Sequence, residues 1–111
     1  MIRRNQTQNN PVLLRATLPD NLQAKVGSEV VFNVSLENLS DSELRISMTA
    51  GCGCTTGPGL VTLAANAAMD VEFKFTARSK GEFNKTVTFE HQKLPDGQPV
   101  RLVRNFSGYA Q

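Results

Sequence analysis

A chain of 111 residues with 40% hydrophobic and 20% charged side chains can bury one core and is too apolar to be disordered. Its formal net charge of +2 is too small to make nucleic acid or an anionic membrane its main partner, and no apolar run approaches the roughly 18 residues that span a bilayer. Two cysteines, Cys52 and Cys54, and a single histidine, His91, exclude a four-thiolate zinc site and one built from two cysteines and two histidines.

The chain opens with Met-Ile-Arg-Arg-Asn-Gln-Thr-Gln-Asn-Asn, which is polar and without periodicity. Residues 1–10 read as an extended polar arm, and residues 11–111 as one domain. An arm with no apolar face of its own is ordered most simply by a neighbour, so Arg3 and Arg4 are candidate docking residues for a protein partner. No apolar stretch follows these arginines, so the segment is no secretory signal. The expected location is a virion or the host cytoplasm, where thiols stay reduced.

Beyond the arm, period-two alternation recurs and a helical stripe is hard to find. Val12, Leu14, Ala16 and Leu18 predict a first strand, closed by Pro19-Asp20-Asn21. Val30, Phe32, Val34 and Leu36 face one way, with Asn33, Ser35 and Glu37 outward, up to the turn formers Asn38-Leu39-Ser40-Asp41. Leu44, Ile46 and Met48 repeat the pattern against Arg45, Ser47 and Thr49. If that strand runs on, the same parity carries Ala50, Cys52 and Cys54 to the core side and Gly51 and Gly53 to the other.

After Gly57-Pro58-Gly59 a short strand is expected over Gly59 to Leu63. The clearest alternation follows, with Met69, Val71, Phe73 and Phe75 against Asp70, Glu72, Lys74 and Thr76. Ser79-Lys80-Gly81 leads to a strand marked by Phe83, Val87 and Phe89, in which Lys85 breaks parity and suggests a bulge or an exposed end. Beyond Pro95-Asp96-Gly97, Val100, Leu102 and Phe106 mark a last strand, interrupted by Arg104. About seven short strands at this spacing predict an all-β protein, an immunoglobulin-like antiparallel β-sandwich with an extended N-terminal arm. Nothing favours a small closed barrel.

The run Gly-Ser-Glu-Val-Val-Phe-Asn-Val, then Gly51-Cys52-Gly53-Cys54-Thr55-Thr56, then Gly81-Glu82-Phe83-Asn84-Lys85-Thr86-Val87-Thr88, resembles a bacterial family of unknown function. That family is marked by a Cys-Gly-Cys-Thr motif in an immunoglobulin-like fold, and is similar to Hydin-type and major sperm protein-like domains. The resemblance covers roughly Lys25 to Tyr109. It implies the sandwich fold and no established activity. Many members are exported, which implies an envelope location, whereas this chain begins without a signal. Where the family carries a Pro-Gly turn, this chain has Ala64-Ala65-Asn66-Ala67-Ala68.

Candidate chemistry centres on Gly51, Cys52, Gly53 and Cys54. In a continuing strand the two thiols are small apolar residues at the sandwich end, and the glycines allow a close backbone approach. Residues two apart in a strand have Cα atoms about 6.6 Å apart with parallel side chains, which disfavours a disulfide unless Gly53 turns. A strained bridge would suit a redox switch better than a staple. Two thiolates could also hold Cu(I), with Met48 as a nearby third ligand, although no Met-rich or His-rich tract supports it.

His91, beside Glu90 and near the Pro95-Asp96-Gly97 turn, reads as a solvated loop residue, since no nucleophile is placed with it by motif. Gly57-Pro58-Gly59 lacks the Lys and helix of a phosphate loop. No catalytic, cofactor or metal site is expected. The sequence points to a non-enzymatic structural and interaction module docking into a multi-subunit protein assembly. A bacteriophage virion accessory, in capsid decoration or the head–neck–tail region, is the most concrete form. No membrane, small-molecule substrate or nucleic-acid partner is expected. The alternatives are a thiol-redox or soft-metal protein using Cys52 and Cys54, and an envelope-associated binding module.

Overall fold

In a computed structural model residues 12–111 are described, and they form strands joined by turns. The polar arm, with Arg3 and Arg4, lies outside the described residues. Among the described residues there are nine strands: β1 Leu14–Thr17, β2 Leu22–Ala24, β3 Glu29–Asn38, β4 Leu44–Ala50, β5 Thr55–Thr56, β6 Leu60–Leu63, β7 Ala68–Thr76, β8 Gly81–Lys93 and β9 Val100–Ala110. Two exceed the expected number because β2 and β5, at 3 and 2 residues, are too short to display alternation.

The strands make two sheets, β1-β3-β7-β5 and β2-β9-β8-β4-β6. Alternation decides which face is inside. Phe32, Val34 and Leu36 on β3 and Val71, Phe73 and Phe75 on β7 are buried from one sheet. Leu44, Ile46 and Met48 on β4, Val87 and Phe89 on β8 and Phe106 on β9 are buried from the other. Aromatic rings join the two layers: Phe106 lies 4.7 Å from Phe32 and 5.3 Å from Phe75, centroid to centroid. Phe83 stands 4.7 Å from Phe75. Each fully buried phenylalanine contributes about 1.5–3 kcal/mol from removal of its surface from water, and offset or edge-on ring pairs add to this.

The N-terminal stretch serves both sheets. β1 pairs antiparallel with β3, Leu14 opposite Asn38 and Thr17 opposite Ser35. At Pro19-Asp20-Asn21 the chain crosses, and β2 then pairs parallel with the end of β9, Leu22 opposite Gly108 and Ala24 opposite Ala110. The sandwich is therefore antiparallel except for this one pair. Gly108 makes the pair possible: a Cβ there would stand 2.7 Å from the carbonyl carbon and nitrogen of Leu22.

Two expectations at the interrupted strands need correction. Lys85 marks no bulge, because the register of β8 with β9 runs unbroken from Gly81–Ala110 to His91–Val100, placing Lys85 opposite Phe106. Lys85 is half-buried at an inward position, which its long apolar stem tolerates. Arg104 likewise keeps register, opposite Val87. Its side chain is exposed and donates from Nη1 to the carbonyl oxygen of Val103 at 3.0 Å.

Candidate functional site

The Cys52–Cys54 segment is not a continuation of β4. The strand ends at Ala50, where Gly51 donates its N–H to the Thr86 carbonyl oxygen at 2.9 Å. A Cβ on Gly51 would collide with the Thr86 side chain, so the close approach expected of the glycines is made at this position. The chain then turns, Thr55 N–H reaching the Cys52 carbonyl oxygen at 3.3 Å. The turn brings the two Cα atoms to 5.3 Å, inside the range for a bridge, and Cys52 and Cys54 are joined as a disulfide. Continued strand parity, with both thiols on the core side, is thus overturned, because the backbone leaves the strand after Ala50. Both cysteines are half-buried, and Gly51 and Gly53 are exposed.

The bridge closes a loop with a sequence separation of 2, so it constrains the unfolded chain very little. Its contribution to stability falls at the low end of the about 0–5 kcal/mol range for disulfides. Thr55, which follows the pair, is buried at the start of β5, and its Oγ1 lies 3.8 Å from the sulfur of Cys52 and 3.8 Å from that of Cys54. Cys54 packs against the core and lines a cavity of about 260 Å³ together with Phe75, Phe83, Arg78, Glu82 and Lys85. Joined to each other, the sulfurs offer no thiolate to a metal, and a Cu(I) site would require the reduced pair. Among the described residues, no group of three or more His, Cys, Asp or Glu side chains could hold a metal ion.

His91 is also placed differently from expectation. It lies within β8, opposite Ile46 of β4 and Val100 of β9, and is 4% exposed. It belongs to the inward face because β8 runs on to Lys93 before the turn begins. Its Nδ1 is buried without a hydrogen-bond partner, and burial lowers its pKa below the ordinary value of 6.5.

A second feature is the free edge of β9. In an antiparallel pair both backbone groups of a residue point to the same side, and the side alternates along the strand. Ser107 donates its N–H to the Pro19 carbonyl oxygen at 3.1 Å, and Gln111 donates to that of Ala24 at 3.0 Å. Odd-numbered residues of β9 therefore turn their backbone away from β8. Arg101, Val103 and Asn105 share that parity, and β2 covers only Gly108 to Ala110. Among the described residues no strand pairs with these three. Val100 and Val103 are 46% and 48% exposed along this stretch, which also carries the exposed Arg101 and Arg104. The corresponding free stretch of β7, beyond β5, carries Asp70 and Glu72 instead.

The sequence signalled neither Thr55 nor this edge as functional. Thr55 was visible as the last residue of the Cys-Gly-Cys-Thr motif. For the edge, the available sign was the pair of valines, Val100 and Val103, of opposite parity in one strand.

Together the two sheets, the sheet-switching first strand and the parallel β2–β9 pair define an immunoglobulin-like sandwich of the PapD-like and major sperm protein-like kind. The chain belongs to the family described as a protein of unknown function (DUF1573), which matches residues 17–103. Among solved structures, it is similar to the ASH/PapD-like domain 7 of human CEP192, with TM-score 0.77 and 12% identity over 100% of this chain and 94% of that one. WR4, a major sperm protein family member of C. elegans, matches with TM-score 0.67 and 10% identity over 89% of this chain and 98% of that one. The YadV chaperone matches with TM-score 0.70 and 14% identity over 89% of this chain and 52% of the chaperone. At these identities the similarity carries the fold. No curated protein matches the chain by sequence.

Proposed function

We propose that this domain is a non-catalytic protein-interaction module that takes an extended, acidic segment of a protein partner onto the free edge of β9, as one component of a larger assembly. The observation that carries this is the outward-turned backbone of Arg101, Val103 and Asn105. A strand laid there would satisfy three N–H groups and the C=O groups of Arg101 and Asn105, and would take over the Val103 C=O from Arg104 Nη1; main-chain pairing of this kind supplies affinity without a deep pocket. The same edge already takes a strand, since β2 pairs on it at Gly108 to Ala110. Arg101 and Arg104 lie within the open stretch and favour carboxylates in the incoming segment, while Val100 and Val103 offer apolar contact.

The reading does not depend on the compartment, since a virion, the host cytoplasm and the envelope each present such segments. The narrower role of a phage virion accessory draws no support from the family or from the structural neighbours. Arg3 and Arg4 remain in the proposal as auxiliary contacts to the same partner.

Selection of extended peptides from a displayed library by the wild-type chain, with Val103→Pro as counter-screen, tests the reading. Proline there removes an outward N–H and leaves the β8 pairing untouched, a placement that edge strands tolerate. Peptides rich in Asp and Glu that bind the wild type and are lost on Val103→Pro are expected. Selected peptides that bind both proteins equally would overturn the edge as the site.

A further inference from the structure

The Cys-Gly-Cys-Thr segment has features that neither the packing nor the β9 edge accounts for. Gly53 has an open surround: a Cβ there would meet nothing within 4 Å, and its φ is not positive. Beyond its two cysteine neighbours, neither a close contact nor a positive φ calls for glycine at this position. Without a side chain there, the exposed turn carries only backbone between the two half-buried cysteines. Thr55 presents the second oddity, a buried hydroxyl whose hydrogen-bond contacts are the two sulfurs. A bridge across so short a loop does little as a staple. A bridge in an exposed turn with a hydroxyl set between its sulfurs is suited to exchange.

We propose that Cys52–Cys54 is a thiol–disulfide exchange site whose substrate is a protein dithiol. The two sulfurs are not equivalent. Cys54 packs against the core and lines the cavity with Phe75 and Phe83, whereas Cys52 makes no such contact with the core cluster. Attack is therefore at Cys52. A partner thiolate bonds to the Cys52 sulfur, the Cys52–Cys54 bond breaks, and its electron pair leaves on the Cys54 sulfur, which then takes a proton from water. The second partner thiolate next attacks the partner's own sulfur in the mixed disulfide, releasing Cys52, which is protonated in turn. Two electrons and two protons pass to this chain, and the partner becomes a disulfide. Thr55 Oγ1 is a positioning group: its hydroxyl donates to the departing Cys54 thiolate. Arg78 and Lys85 at the same cavity also favour that anion, with Glu82 the opposing charge.

The test uses the intact chain with glutathione and thioredoxin as probe thiols. Native disulfide is expected to be reduced by thioredoxin without denaturant, with the far-ultraviolet circular dichroism unchanged and both thiols then alkylated. Among single variants, Cys54→Ser should form a mixed disulfide with oxidised glutathione about tenfold faster than Cys52→Ser, because it leaves the accessible sulfur free. Gly53→Val should slow reduction by thioredoxin more than reduction by dithiothreitol, since only the large reagent needs the open side. Thr55→Val should slow both about severalfold, with Thr55→Ser restoring the rate. Reduction that requires denaturant, loss of fold on reduction, or equal reactivity of the two single-cysteine variants would overturn the proposal.

Discussion

Asn38, buried at the end of β3 in one sheet, donates from Nδ2 to the carbonyl oxygen of Leu63 at 3.0 Å, at the end of β6 in the other sheet. The same nitrogen lies 2.8 Å from the Ser42 carbonyl oxygen and 3.0 Å from that of Ala64. Its Oδ1 accepts from Ser40 N–H at 2.9 Å and Ser40 Oγ at 2.8 Å. One side chain thus ties the two sheets together at this end of the sandwich. Asn38→Leu, similar in volume, leaves several of these buried groups unpaired and is expected to cost about 2–4 kcal/mol in urea denaturation. A loss below about 0.5 kcal/mol would show that water replaces the network without penalty.

Gly108 is the other position where a single atom decides the architecture. Gly108→Ala drives a Cβ into the Leu22 backbone, which cannot yield as a side chain does, and should destabilise by about 1–3 kcal/mol. The damage is local in origin: amide exchange should quicken first at Ser107 and Gln111, whose N–H groups are held by Pro19 and Ala24. Uniform loss of protection across β3 and β7 would contradict this account.

His91 gives the fold an acid sensitivity with a definite sign. Burial holds its folded pKa below 6.5, so as pH falls through 6.5 the unfolded chain takes up the proton first. Its contribution to stability is complete above pH 6.5 and declines as pH drops from there toward the lower folded value. Denaturation midpoints measured from pH 7.5 to 5 should fall more steeply for the wild type than for His91→Leu. Parallel curves would mean that the imidazole protonates as easily in the fold as outside it.

Replacement of both cysteines by serine should reduce stability by less than about 2 kcal/mol, because the bridge closes so short a loop. Thermal unfolding of the double variant checks it. A loss near about 4 kcal/mol would assign the bridge a structural role of the kind seen for long loops.

Much of the sandwich was legible because alternation is a property of single strands. Met69 to Thr76 and Val30 to Glu37 could be oriented from their side chains alone, and both lie as read. What escaped depended on the chain leaving a strand or on neighbours far away in sequence. Parity carried through Ala50 misplaced Cys52 and Cys54, since no local signal says where β4 stops; the stop is set by Thr86 receiving Gly51. His91 looked like a loop residue because the length of β8 is fixed by its register with β4 and β9. The β9 edge was invisible for the same reason, as it exists only because β2 is short.

Pairing of a partner strand with β9 is tested most directly by residue-resolved amide exchange with a selected acidic peptide bound. The N–H groups of Arg101, Val103 and Asn105 are expected to gain protection on binding, while those of Leu102 and Arg104, already turned toward β8, stay unchanged. Protection that appears instead along β1 or β7, with these three amides unaltered, would contradict it.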